Sequence, residues 1–172
     1  VGDPVAHHAG QGDDGEHRTE AAPNQCPRPT QRLDRTVLRL ERATVELTHL
    51  AEAVDRVRHL TRTLSFPTLF PIEVRVSAAD DIALSTGFGR ENGWIAVHQY
   101  RGAPYEAYFH GVEAIMNDYG GRPHWGKLHF QTAATLRDRY PDWSAFAAAR
   151  ARFDPAGTFR NDYLDRILDP VG

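Results

Sequence analysis

The sequence predicts an α+β fold: a split βαβ (ferredoxin-like) antiparallel sheet with helices on one face, followed by C-terminal helices. Three observations carry that prediction. Two segments, IEVRVSA and WIAVHQY, alternate in the period of two that marks strands. Two others space their apolar residues by three and four, as one stripe of a helix requires. Their order along the chain is strand, helix, strand, strand, helix, strand, which is the split βαβ order.

Taken in turn, TVLRLERATVEL alternates Val37, Leu38, Leu40, Val45 and Leu47 loosely with charged residues, as an amphipathic strand from about residue 36 does. ELTHLAEAVDRVRHLTRTL then places Leu47, Leu50, Val54, Val57, Leu60 and Leu64 on one helical stripe, and Pro67 and Pro71 end it. In IEVRVSA, Ile72, Val74 and Val76 take one face, predicted as core, while Glu73, Arg75 and Ser77 take the other. Gly87, Gly89 and Gly93 permit the turn that returns the chain through WIAVHQY, with Trp94, Ala96, His98 and Tyr100 facing away from Ile95, Val97 and Gln99. Pro104 opens a helix carrying Tyr108, Val112, Ile115 and Met116, and Gly120-Gly121 close it. A fourth strand is expected around WGKLHF, then helices near 132–139 and 142–152, a DPAG turn and a last helix in NDYLDRIL.

Composition bounds the rest. A chain of 172 residues with 41% hydrophobic content has room for one core and a tail. Residues 1–35, rich in Gly, Pro, Asp, Gln and Arg, predict a disordered low-complexity tail in which His7, His8 and His17 are solvated, leaving 36–172 as the folded domain. The formal net charge of -3 argues against nucleic acid as a partner. The single cysteine, Cys26, forms no internal disulfide and fits a reducing compartment. No apolar run reaches the roughly 20 residues of a transmembrane helix. The reading is therefore cytoplasmic, with peripheral membrane association left open. The chain begins with Val rather than Met, which predicts a processed chain or a piece of a longer one.

Glu73 and Arg75 sit on one strand face about 7 Å apart, so a planar set of donors and a pair of acceptors face the same side, matching a row of hydroxyls. The simpler alternative is a solvated strand face with an incidental ion pair. Lys127 follows Trp125 and Gly126, a placement that suits stabilising developing negative charge, or equally a surface lysine beside a core tryptophan. His124 and His129, five apart in an extended segment, point to opposite faces, which argues against a shared metal; no metal site is predicted. Asp80 and Asp81 read as turn-capping residues.

FPIEVRVSAADDIALSTGFGR, IAVHQYRG, GGRPHWGKLH and FDPAGTFRNDYLDRIL together resemble the C-terminal part of the sugar-lactone and alditol oxidases, the flavoproteins that include D-arabinono-1,4-lactone oxidase and L-gulonolactone oxidase. The resemblance covers about residues 66–169. It implies that residues 36–172 are the C-terminal substrate (cap) domain, with FAD bound mainly by an upstream domain absent from this chain. It implies hydride transfer from a small polyhydroxylated lactone or alditol to flavin. By the same resemblance Glu73, Arg75 and Lys127 are catalytic, His98, Tyr100 and Trp125 bind substrate, and Lys127 and His124 lie beside the cofactor. Tyr100 stands where alditol oxidases carry a threonine, which weakens any transfer of alditol specificity. The competing expectation is a stand-alone ferredoxin-like binding or interaction domain without catalysis.

Overall fold

The computed structural model describes residues 34–168. The tail expectation over residues 1–33 lies outside the described residues; β1 (Asp34–Glu46) starts two residues before its predicted beginning. After a short 3-10 turn come α1 (Leu50–Thr63), β2 (Glu73–Ser77), β3 (Asn92–Arg101), α2 (Glu106–Asn117) and β4 (Arg122–Pro123). The sheet runs β2-β3-β1-β4, with every neighbouring pair antiparallel. Because β3 lies between β1 and β2, and β1 between β3 and β4, the two βαβ crossovers interlock, as the split βαβ order predicts.

Both helices cover one face. Ala43 and Val45 of β1 and Ile95 and Val97 of β3 meet Ala53 and Val57 of α1 and Tyr108, Phe109, Val112 and Met116 of α2 in one buried cluster. The sequence assigns Gly93 to a turn, but the structure gives it a packing role. A Cβ at that position would lie 2.5 Å from Leu50 Cδ1, so the missing side chain lets α1 settle directly onto β3. At the end of α2 the Gly-Gly pair acts as predicted: Gly120 takes φ +59° and the Gly121 N–H returns to the Met116 carbonyl at 2.8 Å.

Two expectations need correction. Val74 and Val76 are not core: they are 43% and 65% exposed, because β2 is an edge strand beyond the reach of the helices. The fourth strand is also shorter than WGKLHF implies and lies ahead of it. After Pro123 the chain closes a tight turn, with the Lys127 N–H donating to the His124 carbonyl at 3.0 Å, and regains β1 only through a bridge between Leu128 and Glu41. The C-terminal helices follow as α3 (Ala133–Leu136), continued by a 3-10 turn to Arg139, then α4 (Trp143–Phe153) and α5 (Asp162–Ile167). They enclose a second core of Leu136, Tyr140, Trp143, Ile167 and Leu168, with Leu84 and Trp125 packed against it.

One core residue is chemically out of place. Glu41, on the side of β1 that carries Ala43 and Val45, is 2% exposed, and neither carboxyl oxygen has a hydrogen-bond partner among the described residues. Burial, reinforced by the negative charge of Glu113, holds its pKa well above the usual carboxylate range. A raised folded-state pKa means that its contribution is fully present below the ordinary carboxylate pKa and is lost as pH rises through the folded value. Glu41→Met is therefore expected to stabilise the chain near neutral pH by about 1–3 kcal/mol, with a smaller gain at pH 4. Chemical denaturation at the two pH values measures the difference.

Candidate functional site

The face of the sheet away from α1 and α2 is organised by strand register. Arg42 on β1, Ala96 on β3 and Glu73 on β2 share one row, and Thr44, Trp94 and Arg75 share the next. Ala96 in the middle of its row is small enough for the outer residues to meet above it. Arg42 Nη2 lies 2.6 Å from Glu73 Oε1, and Arg75 Nε approaches the same oxygen at 2.5 Å. Glu73 is thus held between two guanidiniums, while the Arg75 side chain remains 64% exposed. Beside them the Trp94 indole donates to Ser77 Oγ at 2.9 Å, and the Arg42 guanidinium carbon stands 5.8 Å from its ring centre.

The GGRPHWGK segment supplies the third side. Its start is anchored by Arg122, whose guanidinium donates to the carbonyls of Arg139 and Phe88, both at 2.8 Å, and stacks over Tyr140. Arg139 in turn donates to the Gly121 carbonyl. The His124 N–H then bonds to the Arg42 carbonyl at 2.8 Å, which brings the His124 ring to 6.1 Å from Trp94. Lys127 lies close enough to His98 and His124 for its charge, together with that of Arg42, to act on both. Burial is the leading cause and the two cations add to it, so both imidazoles titrate below the ordinary histidine range.

Of the predicted residues, Glu73, Arg75, Lys127, His98 and His124 therefore gather around one face. Tyr100 lies at its far end, where Phe70 packs against both His98 and Tyr100 at 5.6 and 5.2 Å between ring centres. The Trp125 indole turns the other way: its Nε1 donates to the Leu84 carbonyl at 2.8 Å and its ring packs on Tyr140 in the second core. Arg42 is the residue that sequence reading missed. Alternation within β1 puts it on the same side as Thr44, but only the cross-strand register reveals that it meets Glu73. Taken together, Arg42, Arg75 and Lys127 outnumber the Glu73 carboxylate, so the face is net positive and lined with hydrogen-bond donors. It suits a hydroxylated ligand on which negative charge develops. Among the described residues no group of His, Cys, Asp and Glu is arranged to hold a metal ion, and no helix is long and apolar enough to cross a membrane.

Residues 39–167, which contain this whole face, match the family described as D-arabinono-1,4-lactone oxidase. The chain belongs to that family. An L-gulono-1,4-lactone dehydrogenase of Mycobacterium tuberculosis is 60% identical over 119 residues, covering 69% of this chain and 28% of that protein. The L-gulonolactone oxidase of Bos taurus is 38% identical over 103 residues, or 58% of this chain and 23% of the relative. An alditol oxidase of a Streptomyces species is 36% identical over 124 residues, 70% and 29% of the two chains. The chain thus aligns with less than a third of the length of each of these relatives. Within the D-arabinono-1,4-lactone oxidase family match lie the full four-stranded sheet from Arg39 onward and α5 through Ile167, so the face and the helices that buttress it are matched as one unit.

Proposed function

We propose that this chain provides the substrate-facing part of an FAD-dependent oxidoreductase that oxidises a carbinol of a sugar-1,4-lactone, of the D-arabinono or L-gulono type, or of an alditol. The observation that carries the reading is the Glu73 carboxylate fixed between Arg42 and Arg75 on the face that Lys127 approaches. Glu73 accepts hydrogen bonds from substrate hydroxyls with its free lone pairs, and Arg75, mostly exposed, donates to neighbouring oxygens. Lys127 stabilises the oxygen of the reacting carbinol as it loses its proton. His98 and His124, held neutral at physiological pH, add hydrogen-bonding groups without adding charge.

The residues present fit one side of a flavin ring. The excess of guanidinium and ammonium groups over carboxylate matches a ring system that gains negative charge on reduction, and Lys127 and the neighbouring His124 would be the groups to hold it. FAD, when bound, supplies the hydride-accepting ring. The chain's residues bind, orient and polarise.

Arg75→Ala tests the reading in the flavin-loaded protein, that is, this chain together with the FAD-binding domain that the reading assigns to it. Mixed anaerobically with L-gulono-1,4-lactone, D-arabinono-1,4-lactone or xylitol, the unmodified protein is expected to lose its oxidised-flavin absorbance, and the variant to do so about 100-fold more slowly. Equal rates in the two proteins would overturn the assignment of this face. Saturable lactone binding with no flavin reduction would favour a binding domain.

A further inference from the structure

Lys127 is the last residue of a four-residue turn, His124-Trp125-Gly126-Lys127, closed by the Lys127 N–H on the His124 carbonyl at 3.0 Å. Such turns have two principal forms, related by a rotation of about 180° of the central peptide, and the second needs a positive φ at the third residue. That residue here is Gly126, to which either form is accessible at little cost. Its φ in the structure lies outside the left-handed region, so one of two nearly equivalent forms has been selected.

The central peptide is gripped at both ends. The Gly126 N–H donates to His124 Nδ1 at 3.0 Å. The Trp125 carbonyl accepts from the Tyr163 hydroxyl of α5, 38 positions along the chain. Tyr163 is itself oriented: its oxygen lies 2.9 Å from Nε2 of the buried His129. A phenol has one proton, and it is committed to the Trp125 carbonyl, so His129 must donate Nε2–H and leave Nδ1 bare. The lack of any partner for Nδ1 among the described residues agrees with that tautomer. Rotating the peptide would break both bonds and leave the Tyr163 hydroxyl without its acceptor.

We propose that Tyr163 and His124 form a two-sided lock on the peptide between Trp125 and Gly126, holding the turn in the form that aims Lys127 at the open face. The consequence for catalysis rests on the proposed oxidoreductase function; the lock itself does not. Tyr163 is a positioning residue, acting on the reacting atoms only through the turn, and an alternative role in merely fastening α5 makes a different prediction.

Three measurements separate the two. In the unmodified 172-residue chain the Gly126 amide is expected to be protected from hydrogen exchange; rapid exchange would overturn the lock without any variant. In Tyr163→Phe the Gly126 amide is expected to shift and exchange faster, and in the flavin-loaded protein kcat is expected to fall about tenfold. Adding Gly126→Ala to Tyr163→Phe is expected to restore kcat and the exchange protection of the amide at position 126 towards their original values, because alanine disfavours the positive-φ form. A role confined to fastening α5 gives no such rescue. An unchanged Gly126 amide in Tyr163→Phe, or failure of the second substitution to restore exchange protection at position 126, would overturn the proposal. If the unmodified protein reduces no flavin while the amide measurements behave as stated, the functional reading fails and the lock stands.

Discussion

Lys127→Met in the flavin-loaded protein is expected to slow substrate-driven flavin reduction by about 100- to 1000-fold, the loss found when one preorganised charge-stabilising donor is removed. On this face Arg42 and Arg75 are both committed to Glu73, whereas the Lys127 side chain has no carboxylate partner among the described residues. It is the cation free to answer charge that would appear in the proposed oxidation. Methionine keeps the length and apolar stem of lysine and removes only the ammonium. Because Lys127 is neither in a core cluster nor in an ion pair, the melting temperature should hardly move. A large fall in kcat with a small change in KM is the expected division, since the interaction matters most when the carbinol oxygen becomes negative. A rate within a factor of about two of the original would remove Lys127 from its assigned role.

What could be read from the sequence depended on how local the signal was. Alternation groups Glu73 with Arg75 in IEVRVSA and His98 with Trp94 in WIAVHQY, and the register between the two strands puts both groups on one side of the sheet. The same alternation misassigned Val74 and Val76 to the core, because a strand's own pattern does not say whether a helix reaches it, and β2 lies at the sheet edge. Arg42 was hidden for a related reason. Its partner is 31 positions away, and their meeting depends on Ala96 standing between them in register. In WGKLHF the aromatic and apolar residues resembled a strand, yet Pro123 before the turn and Gly126 within it were turn signals that the strand reading passed over. In the same stretch the Trp125 indole packs against the second core because the chain reverses there.

Stability is expected to fall by about 3 kcal/mol between pH 6.5 and pH 4 on account of His129 alone, at about 1.4 kcal/mol for each pH unit. Burial pushes this imidazole from the ordinary 6.5 down to about 4, and the charge of Arg166 acts in the same direction. The sign follows from where the proton can go. Above pH 6.5 the histidine is neutral both folded and unfolded, and its contribution is intact. Below that the unfolded chain takes up a proton that the folded chain refuses, so stability declines until the folded site also titrates. The refusal has a structural cause: Nε2–H is spent on Tyr163, and a second proton would sit on a buried Nδ1 with no acceptor among the described residues. Glu41 works in the opposite direction, so the wild-type slope mixes the two. His129→Gln separates them, because glutamine retains an N–H for the Tyr163 oxygen, does not titrate, and leaves Glu41 in place. Its stability should fall less steeply from pH 6.5 to 4 in denaturant titrations, and equal slopes in the two proteins would exclude His129 as the source.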